Sequence, residues 1–318
     1  MKSVEIIVPC YFEEMCIKPL YEAVNRVMGA LKEYDTTLFF VDDGSKDQTL
    51  NEIKQLEEDR VKVKYLSFSR NFGKEAAIFA GLSNVQSDIA VLMDADLQHP
   101  PELIPQMLEY LEKGYDCCGA RRVDRKGEPP VRSAFSKLFY HFMKKSTGLS
   151  FVQGGSDFRA MKRIVVDAVV ALPEKERFTK GIMSWVGFDM KWIDYENVER
   201  KYGKTKWSFI GLARYAVNGF LAFSTTPLRA AIYLGFLIDV FAVVYAIITL
   251  VSAISSNAPR TGYTSILLMM MFLGGTIILI LGIIGEYIAR LYNEIKNRPV
   301  YIVKEKNFRN KAVEKEEG

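Results

Sequence analysis

Apolar positions fall into two alternating patterns over the N-terminal part of the chain. Short apolar runs bounded by Pro, Gly or Asp are followed by stretches in which apolar residues recur every three or four positions. The runs predict strands over Val4–Pro9, Thr37–Val41, Val61–Phe68, Ile89–Met93 and Tyr115–Gly119, with 157–161 and 188–195 as further strands. The helical spacings predict helices over Pro19–Leu31, Thr49–Leu56, Lys74–Val85 and Glu102–Leu111. Strands alternating with helices of this length imply βαβ units, so the expected fold class is α/β with a mostly parallel central sheet. Ligands of such sheets bind beyond the carboxyl ends of the strands.

The pattern changes after about residue 225. Ala230–Ile254 carries one charge, Asp239, and Thr261–Gly285 carries none. Each stretch has about 25 residues, and roughly 20 span the hydrocarbon of a bilayer. Two transmembrane helices are predicted, over about 230–254 and 263–287, forming a hairpin within 226–289; a pair of buried core helices is the soluble alternative. Ahead of them, Lys204–Phe223 mixes Trp207, Phe209, Tyr215 and Phe220 with Lys204, Lys206 and Arg214. A basic, aromatic helix of this kind suits the membrane interface, so 204–225 is assigned to it. The tail, 290–318, holds Arg290, Lys296, Arg298, Lys304, Lys306, Arg309 and Lys311. The positive-inside rule places it in the cytoplasm, and two spans return the chain to its starting side. The expected layout is a cell-membrane protein with its catalytic domain, 1–203, and its tail both cytoplasmic. The N-terminus enters an apolar strand at once, without the layout of a signal peptide.

Charge and cysteine content narrow the chemistry. The net charge of +4 over 318 residues makes no general case for a nucleic-acid partner, although positive residues cluster at 121–145, 200–214 and 290–315. Cys10, Cys16, Cys117 and Cys118 form no CxxC pair, and there are only 2 histidines. A zinc site is therefore not expected, and free thiols in a reducing cytosol are.

Two acidic motifs stand at predicted strand ends. Asp94-Ala95-Asp96 follows Ile89–Met93. Two carboxylates one residue apart in a turn can converge on one cation, and magnesium is usually held by one or two carboxylates plus substrate phosphates and water. Such a cation would neutralise a departing diphosphate. Taken alone, the motif reads more readily as two solvated turn residues, and its place after an apolar run and before Leu97-Gln98-His99 is what favours the cation. Asp42-Asp43-Gly44-Ser45 ends the second strand, where acidic residues accept hydrogen bonds from a base or ribose; a helix cap with a turn glycine is the structural alternative.

Together these residues resemble a known family. Val8-Pro9-Cys10-Tyr11-Phe12-Glu13-Glu14, Val41-Asp42-Asp43-Gly44-Ser45, Ser69-Arg70-Asn71-Phe72-Gly73-Lys74 and Asp94-Ala95-Asp96-Leu97-Gln98 occur in the order seen in family 2 glycosyltransferases. The closer resemblance is to the polyprenyl-phosphate group, which contains the bactoprenol glucosyltransferases and dolichol-phosphate mannose synthases. Ser156-Asp157-Phe158-Arg159, Arg177-Phe178, Trp185-Val186-Gly187 and the two-helix C-terminal anchor belong to that pattern. The likeness spans about 1–300. Phe12 departs from it, standing where the family usually has Asn. The QxxRW motif of processive synthases is absent.

The resemblance implies a GT-A-type nucleotide-sugar-binding domain and an inverting transfer that depends on Mg²⁺ or Mn²⁺. Pro9, Tyr11, Glu13, Asp42, Asp43, Arg70, Lys74, Asp94 and Gln98 would bind the nucleotide-sugar. Asp94, Asp96 and Gln98 would surround the metal. Asp96 and Asp157 would be the catalytic pair, with Asp157 near the acceptor as the base. Arg121, Arg132, Ser136 and Arg200 would hold the acceptor phosphate. Arg132 and Ser136 lie four apart and would share a face on a helix. The implied donor is UDP-glucose, with UDP-N-acetylglucosamine and GDP-mannose as alternatives, and the implied acceptor is undecaprenyl phosphate. The lipid bilayer, a flippase, a downstream glycosyltransferase and further copies of the chain, up to a tetramer, are the implied partners. A non-catalytic nucleotide-sugar-binding scaffold for a flippase is the rival of another class.

Elementary chemistry qualifies the base. A phosphate monoester has its second pKa near 6, so the acceptor is mostly a dianion at neutral pH. Its difficulty is repulsion from the donor diphosphate, and Asp157 is expected to orient the acceptor or a basic side chain more than to remove a proton. Gly203-Lys204-Thr205 resembles the end of a P-loop, but Val198 stands where that motif needs glycine. His99 and His141 have no nucleophile pattern beside them, and Asp239 is a weak functional candidate inside a span.

Overall fold

The computed structural model describes residues 1–123, 143–148, 152, 154–172, 174–196, 217, 219–255 and 262–309. They divide into two compact units, one of Met1–Gly219 with Pro299–Gly318 and one of Phe220–Arg298.

In the first unit the elements run β1 (Lys2–Cys10), α1 (Glu14–Met28), β2 (Tyr34–Asp42), α2 (Thr49–Lys54), β3 (Lys62–Phe68), α3 (Lys74–Asn84), β4 (Ile89–Leu92), a 3₁₀ turn (Pro101–Leu103) and α4 (Ile104–Glu112). There follow β5 (Cys117–Arg122), β6 (Gly155–Lys162), α5 (Arg163–Val170), α6 (Thr179–Trp185) and β7 (Met190–Tyr195). α1 starts ahead of the predicted Pro19 because Cys16 and Ile17 continue the buried stripe of Leu20, Tyr21, Val24 and Met28. The helices α5 and α6 were not anticipated from the pattern.

The strands form one 8-stranded sheet in the order β7-β5-β6-β4-β1-β2-β3-β8. β1 pairs in parallel with both β2 and β4, and β2 with β3. The chain thus builds outward from β1 through β2 to β3, then crosses to β4 on β1's other flank. That reversal opens a crevice at the carboxyl ends of β1 and β4, where open α/β sheets bind ligands. β6 runs antiparallel to β4 and β5. Phe39, Phe40, Phe68 and Phe158 are fully buried at the centre, and truncating any of them to alanine costs about 3–5 kcal/mol.

The eighth strand, β8 (Val303–Lys306), lies within the predicted basic tail and pairs antiparallel with β3. Beside it Tyr301 stacks on Phe68 with centroids 5.0 Å apart, and Asn307 accepts from Tyr65 N at 2.8 Å and donates to Val63 O at 3.0 Å. Lys54 pairs with Glu305.

The second unit holds α7 (Thr226–Ser255) and α8 (Tyr263–Ile295), of 30 and 33 residues. At 1.5 Å per residue they are about 45 and 50 Å long, more than the roughly 30 Å of bilayer hydrocarbon. Both are long and apolar enough to cross a membrane. Phe236 and Ile278 are 69% and 72% exposed, an arrangement suited to lipid and not to water. Tyr287 donates to Ser224 O at 2.6 Å within this unit. The predicted interface helix over 204–225 lies mostly outside the described residues.

Candidate active site

A cavity of about 350 Å³ opens at the crevice between β1 and β4, within the range of small-ligand sites. It is lined from β1 by Pro9, Cys10, Tyr11 and Glu13, from β2 by Asp43, from α3 and its approach by Asn71, Gly73, Lys74 and Ala77, and after β4 by Asp94, Ala95 and Asp96.

The β2 end is a structural anchor. Asp42 is 1% exposed, and its carboxylate accepts from Ser45 N at 3.1 Å and Ser67 Oγ at 2.7 Å. Asp43 faces the cavity and accepts from Phe72 N at 2.6 Å, Gly73 N at 2.9 Å and Asn71 Nδ2 at 2.9 Å, holding the loop that opens α3. Burial pushes the Asp43 carboxyl up to about 6, against the pull of those two backbone N–H groups and with the help of Asp42's charge. Gly44, at φ +67°, passes Arg70 so closely that a Cβ would stand 2.5 Å from its carbonyl carbon. Phe12 sits in the left-handed region at φ 55°, with its N–H on Ser45 Oγ at 3.1 Å and its ring 4.4 Å from Tyr11. Asn tolerates that conformation far better than Phe, which gives the departure from the family pattern a physical cost.

The β4 end is organised differently. Asp94 N–H donates to His99 Nδ1 at 3.1 Å, and Gln98 N–H donates to Asp96 Oδ1 at 3.2 Å, which fixes the turn. His99 is 1% exposed and stacked on Phe158 at 5.1 Å. Burial lowers its pKa against the pull of Asp94 and Asp96, and the Nδ1 that accepts from Asp94 N–H leaves Nε2 as the nitrogen that carries the ring proton. Sequence reading missed this bracing role; no spacing signal carries it.

Lys74, the first residue of α3, joins the two halves of the site. Its Nζ lies 2.6 Å from Asp94 Oδ1 and 3.0 Å from Asp157 Oδ2 on β6. Asp157 Oδ1 faces Lys180 Nζ of α6 at 3.9 Å. Burial would raise Asp157, but the charges of Lys74, Lys180 and Arg159 outweigh it and hold the carboxyl well below the usual carboxylate range. Asp94 is held low by Lys74 against the same penalty. Burial opposes the Lys74 charge, and Asp94 and Asp157 more than restore it, so the ammonium stays protonated. All three groups therefore carry their charges at neutral pH.

Other expected residues lie elsewhere. Arg70 donates to Asn71 O at 3.0 Å and covers the Phe72 ring, outside the cavity lining. Gln98 and Asp42 are also outside the lining. Arg121 forks onto Asp194 with bonds of 2.6 and 2.8 Å at the end of β5. Arg177 is 8% exposed and donates to Val169 O and Leu172 O, a structural staple. Arg132, Ser136 and Arg200 lie outside the described residues. All four cysteines are free and buried, and burial pushes Cys117 and Cys118 up to about 12.

The donor chemistry suits a hard divalent cation. Asp94 and Asp96 offer two carboxylates from one turn to one cavity, and magnesium is commonly held by such a pair completed by substrate phosphates and water. Among the described residues no group of three or more His, Cys, Asp or Glu surrounds them, so an all-protein metal cage is not what this turn builds.

Comparison with known proteins agrees with this geometry. Residues 5–169 match the model of glycosyl transferase family 2, and residues 226–291 match that of the GtrB C-terminal hairpin. The chain is 44% identical to the putative glycosyltransferase CsbB of Bacillus subtilis, over 97% of this chain and 93% of that one. It is 37% identical to a prophage-derived bactoprenol glucosyl transferase of Shigella flexneri, over 95% of this chain and 97% of that one. A prophage bactoprenol glucosyl transferase homolog of Escherichia coli is 39% identical over 95% of this chain and 98% of its own length. The chain, with an acidic turn at the switch point of its mostly parallel sheet and an apolar C-terminal hairpin, belongs to glycosyl transferase family 2.

Proposed function

We propose that the protein transfers a sugar from a nucleotide-sugar, with UDP-glucose as the leading donor, to a polyprenyl phosphate at the cytoplasmic face of a membrane, with inversion at the anomeric carbon. The observation that carries this reading is the Asp94–Lys74–Asp157 chain of ion pairs. It runs from the acidic turn of the cavity to a carboxylate on the neighbouring strand, an arrangement that sets a donor side and an acceptor side next to each other. The polyprenyl acceptor and the glucosyl group follow the names of the bactoprenol glucosyl transferases above; UDP as its carrier is part of the proposal.

In this reading Tyr11, Glu13 and Asp43 line the nucleotide end of the cavity. Asp94 and Asp96 would hold Mg²⁺ or Mn²⁺, which when bound supplies charge neutralisation for the departing diphosphate; Gln98 braces the turn through its N–H on Asp96 Oδ1. An oxygen of the acceptor phosphate attacks the anomeric carbon, the bond to the diphosphate breaks on the opposite face, and the nucleoside diphosphate leaves with the electron pair. The acceptor dianion needs no strong base. Asp157, paired on both oxygens and held far below its ordinary pKa, is a poor one; it positions Lys74 instead. Two apolar spans in succession return the chain to the side of the membrane it entered from. The basic tail residues favour the cytoplasm for that side.

The test is incubation of the purified protein with radiolabelled UDP-glucose, UDP-N-acetylglucosamine or GDP-mannose, each with undecaprenyl phosphate and Mg²⁺ or Mn²⁺. Label moves into the organic phase with one donor, chelation stops it, and Asp157→Asn retains measurable turnover. No extractable label with any of the three overturns the reading. Complete loss in Asp157→Asn, with fold and acceptor binding intact and no recovery at higher pH, restores Asp157 as an essential base.

A further inference from the structure

Lys180 has no part in the donor cavity, yet it faces the same carboxylate as Lys74. Its Nζ donates to Gly155 O at 3.3 Å and stands 3.9 Å from Asp157 Oδ1, while Lys74 takes Oδ2. The Lys180 side chain is 27% exposed, more open than the 17% of Asp157 between the two ammonium groups. The contacts of Lys180 among the described residues leave donor capacity unused, since an ammonium carries three N–H bonds.

Two clamped helix starts produce this arrangement. Glu75, next to Lys74, accepts from both the N–H and the hydroxyl of Thr179, next to Lys180. The first turns of α3 and α6 are thereby fixed side by side, and the two lysines reach Asp157 from adjacent anchors. A helix as short as α6, at 7 residues, gains its orientation from this clamp and not from its own propensity.

Several cations converge on Asp157 of β6. Lys74 is shared with Asp94, and Asp157 is then left among Lys180 and Arg159. Arg159 is 3% exposed, with its guanidinium committed to the carbonyls of Ser156 and Asp157. Asp157 thus faces more than one cation, and Lys180 is the accessible one that is not also paired with Asp94. Arg121 is already forked onto Asp194. A partly desolvated, preorganised cation beside the reacting region is a seat for an anion.

We propose that Lys180 binds the phosphate of the acceptor, with Asp157 as the positioning residue that aims Lys180 and Lys74 at the two reacting groups. The inference rests on the reaction proposed above and adds to it a phosphate ligand on α6. Lys74 serves the donor wall, and Lys180 serves the incoming monoester.

The test uses full-length protein in lipid nanodiscs, with undecaprenyl phosphate titrated at saturating donor and donor titrated at saturating undecaprenyl phosphate. Lys180→Ala raises the acceptor KM by roughly 10-fold or more, the scale of a lost charge-assisted contact, and moves the donor KM less than about twofold. Lys180→Arg restores most of the acceptor KM. Inorganic phosphate competes with the acceptor in the wild type and loses that effect in Lys180→Ala if a bare phosphate suffices; no competition in the wild type, with the acceptor KM raised in Lys180→Ala, assigns the seat to the lipid-borne phosphate, and undiminished competition in Lys180→Ala overturns the proposal. An unchanged acceptor KM, or an equal rise in both KM values, overturns the proposal while wild-type turnover leaves the functional reading standing. If Lys180→Ala also loses nucleotide binding, Lys180→Gln decides by the same ratio. No glycolipid from the wild type with any donor overturns the functional reading, and this inference with it.

Discussion

The two acidic turns look alike in sequence and are used in opposite ways. At the end of β2, the Asp42 and Asp43 oxygens are taken by backbone N–H groups, hydroxyls and an amide. At the end of β4, the Asp94 carboxylate pairs, among the described residues, with the Lys74 ammonium that it shares with Asp157. A carboxylate saturated by short, fixed donors is part of the scaffold. One neutralised by a flexible lysine can exchange that partner for a cation or a substrate group. What fills the lone pairs, and not the residue type or its place at a strand end, separates an anchor from a reactive site.

The largest expected effect breaks the comparison on the β4 side. Asp96→Asn lowers kcat by roughly 10²–10³ with little change in the thermal midpoint, read by glycolipid formation and by calorimetry. A large loss of stability would show that the β4 turn is scaffold too.

On the β2 side the effect is on folding and depends on pH. Asp43 titrates near 6 in the folded chain against an ordinary value of 3.8. The native state therefore binds that proton more tightly than the unfolded state, and stability falls as pH rises from about 4 to 6. Two pKa units correspond to about 3 kcal/mol. Asp43→Asn removes this slope, measured as the urea midpoint at several pH values; a slope that persists assigns it to another group.

Asp42→Ala leaves Ser67 Oγ and Ser45 N without their acceptor and costs about 2 kcal/mol, seen in chemical denaturation. A cost as small as that of an exposed aspartate would remove Asp42 from the scaffold.

The smallest effect has the opposite sign. Phe12→Asn relieves a left-handed phenylalanine beside Ser45 and raises stability by about 1 kcal/mol. A loss instead would mean that its ring packing against Tyr11 outweighs the backbone strain.

Much of this was legible in the chain. The strands at Ile89–Met93 and Thr37–Val41 were marked by β-branched and aromatic runs, and each ended in the acidic motif that the structure places at a carboxyl end. The hairpin was legible because a bilayer demands long apolar runs, and two of them follow one another closely here. α6 was hidden because 7 residues carry too little periodicity to show. β8 was hidden because Val303–Lys306 alternates weakly and is charged; it becomes a strand only because β3 offers an unpaired edge.

The sequence by itself determined the α/β class, the two strand-end acidic motifs and the apolar hairpin, since each is a local consequence of side-chain size, charge and periodicity. Only the tertiary structure decided that Asp42 and Asp43 are anchors, that His99 braces the Asp94 turn, and that Lys74 and Lys180 meet at Asp157. Lys74 and Asp157 are 83 positions apart, and contacts of that range are set by how the sheet is wound, which no local pattern records.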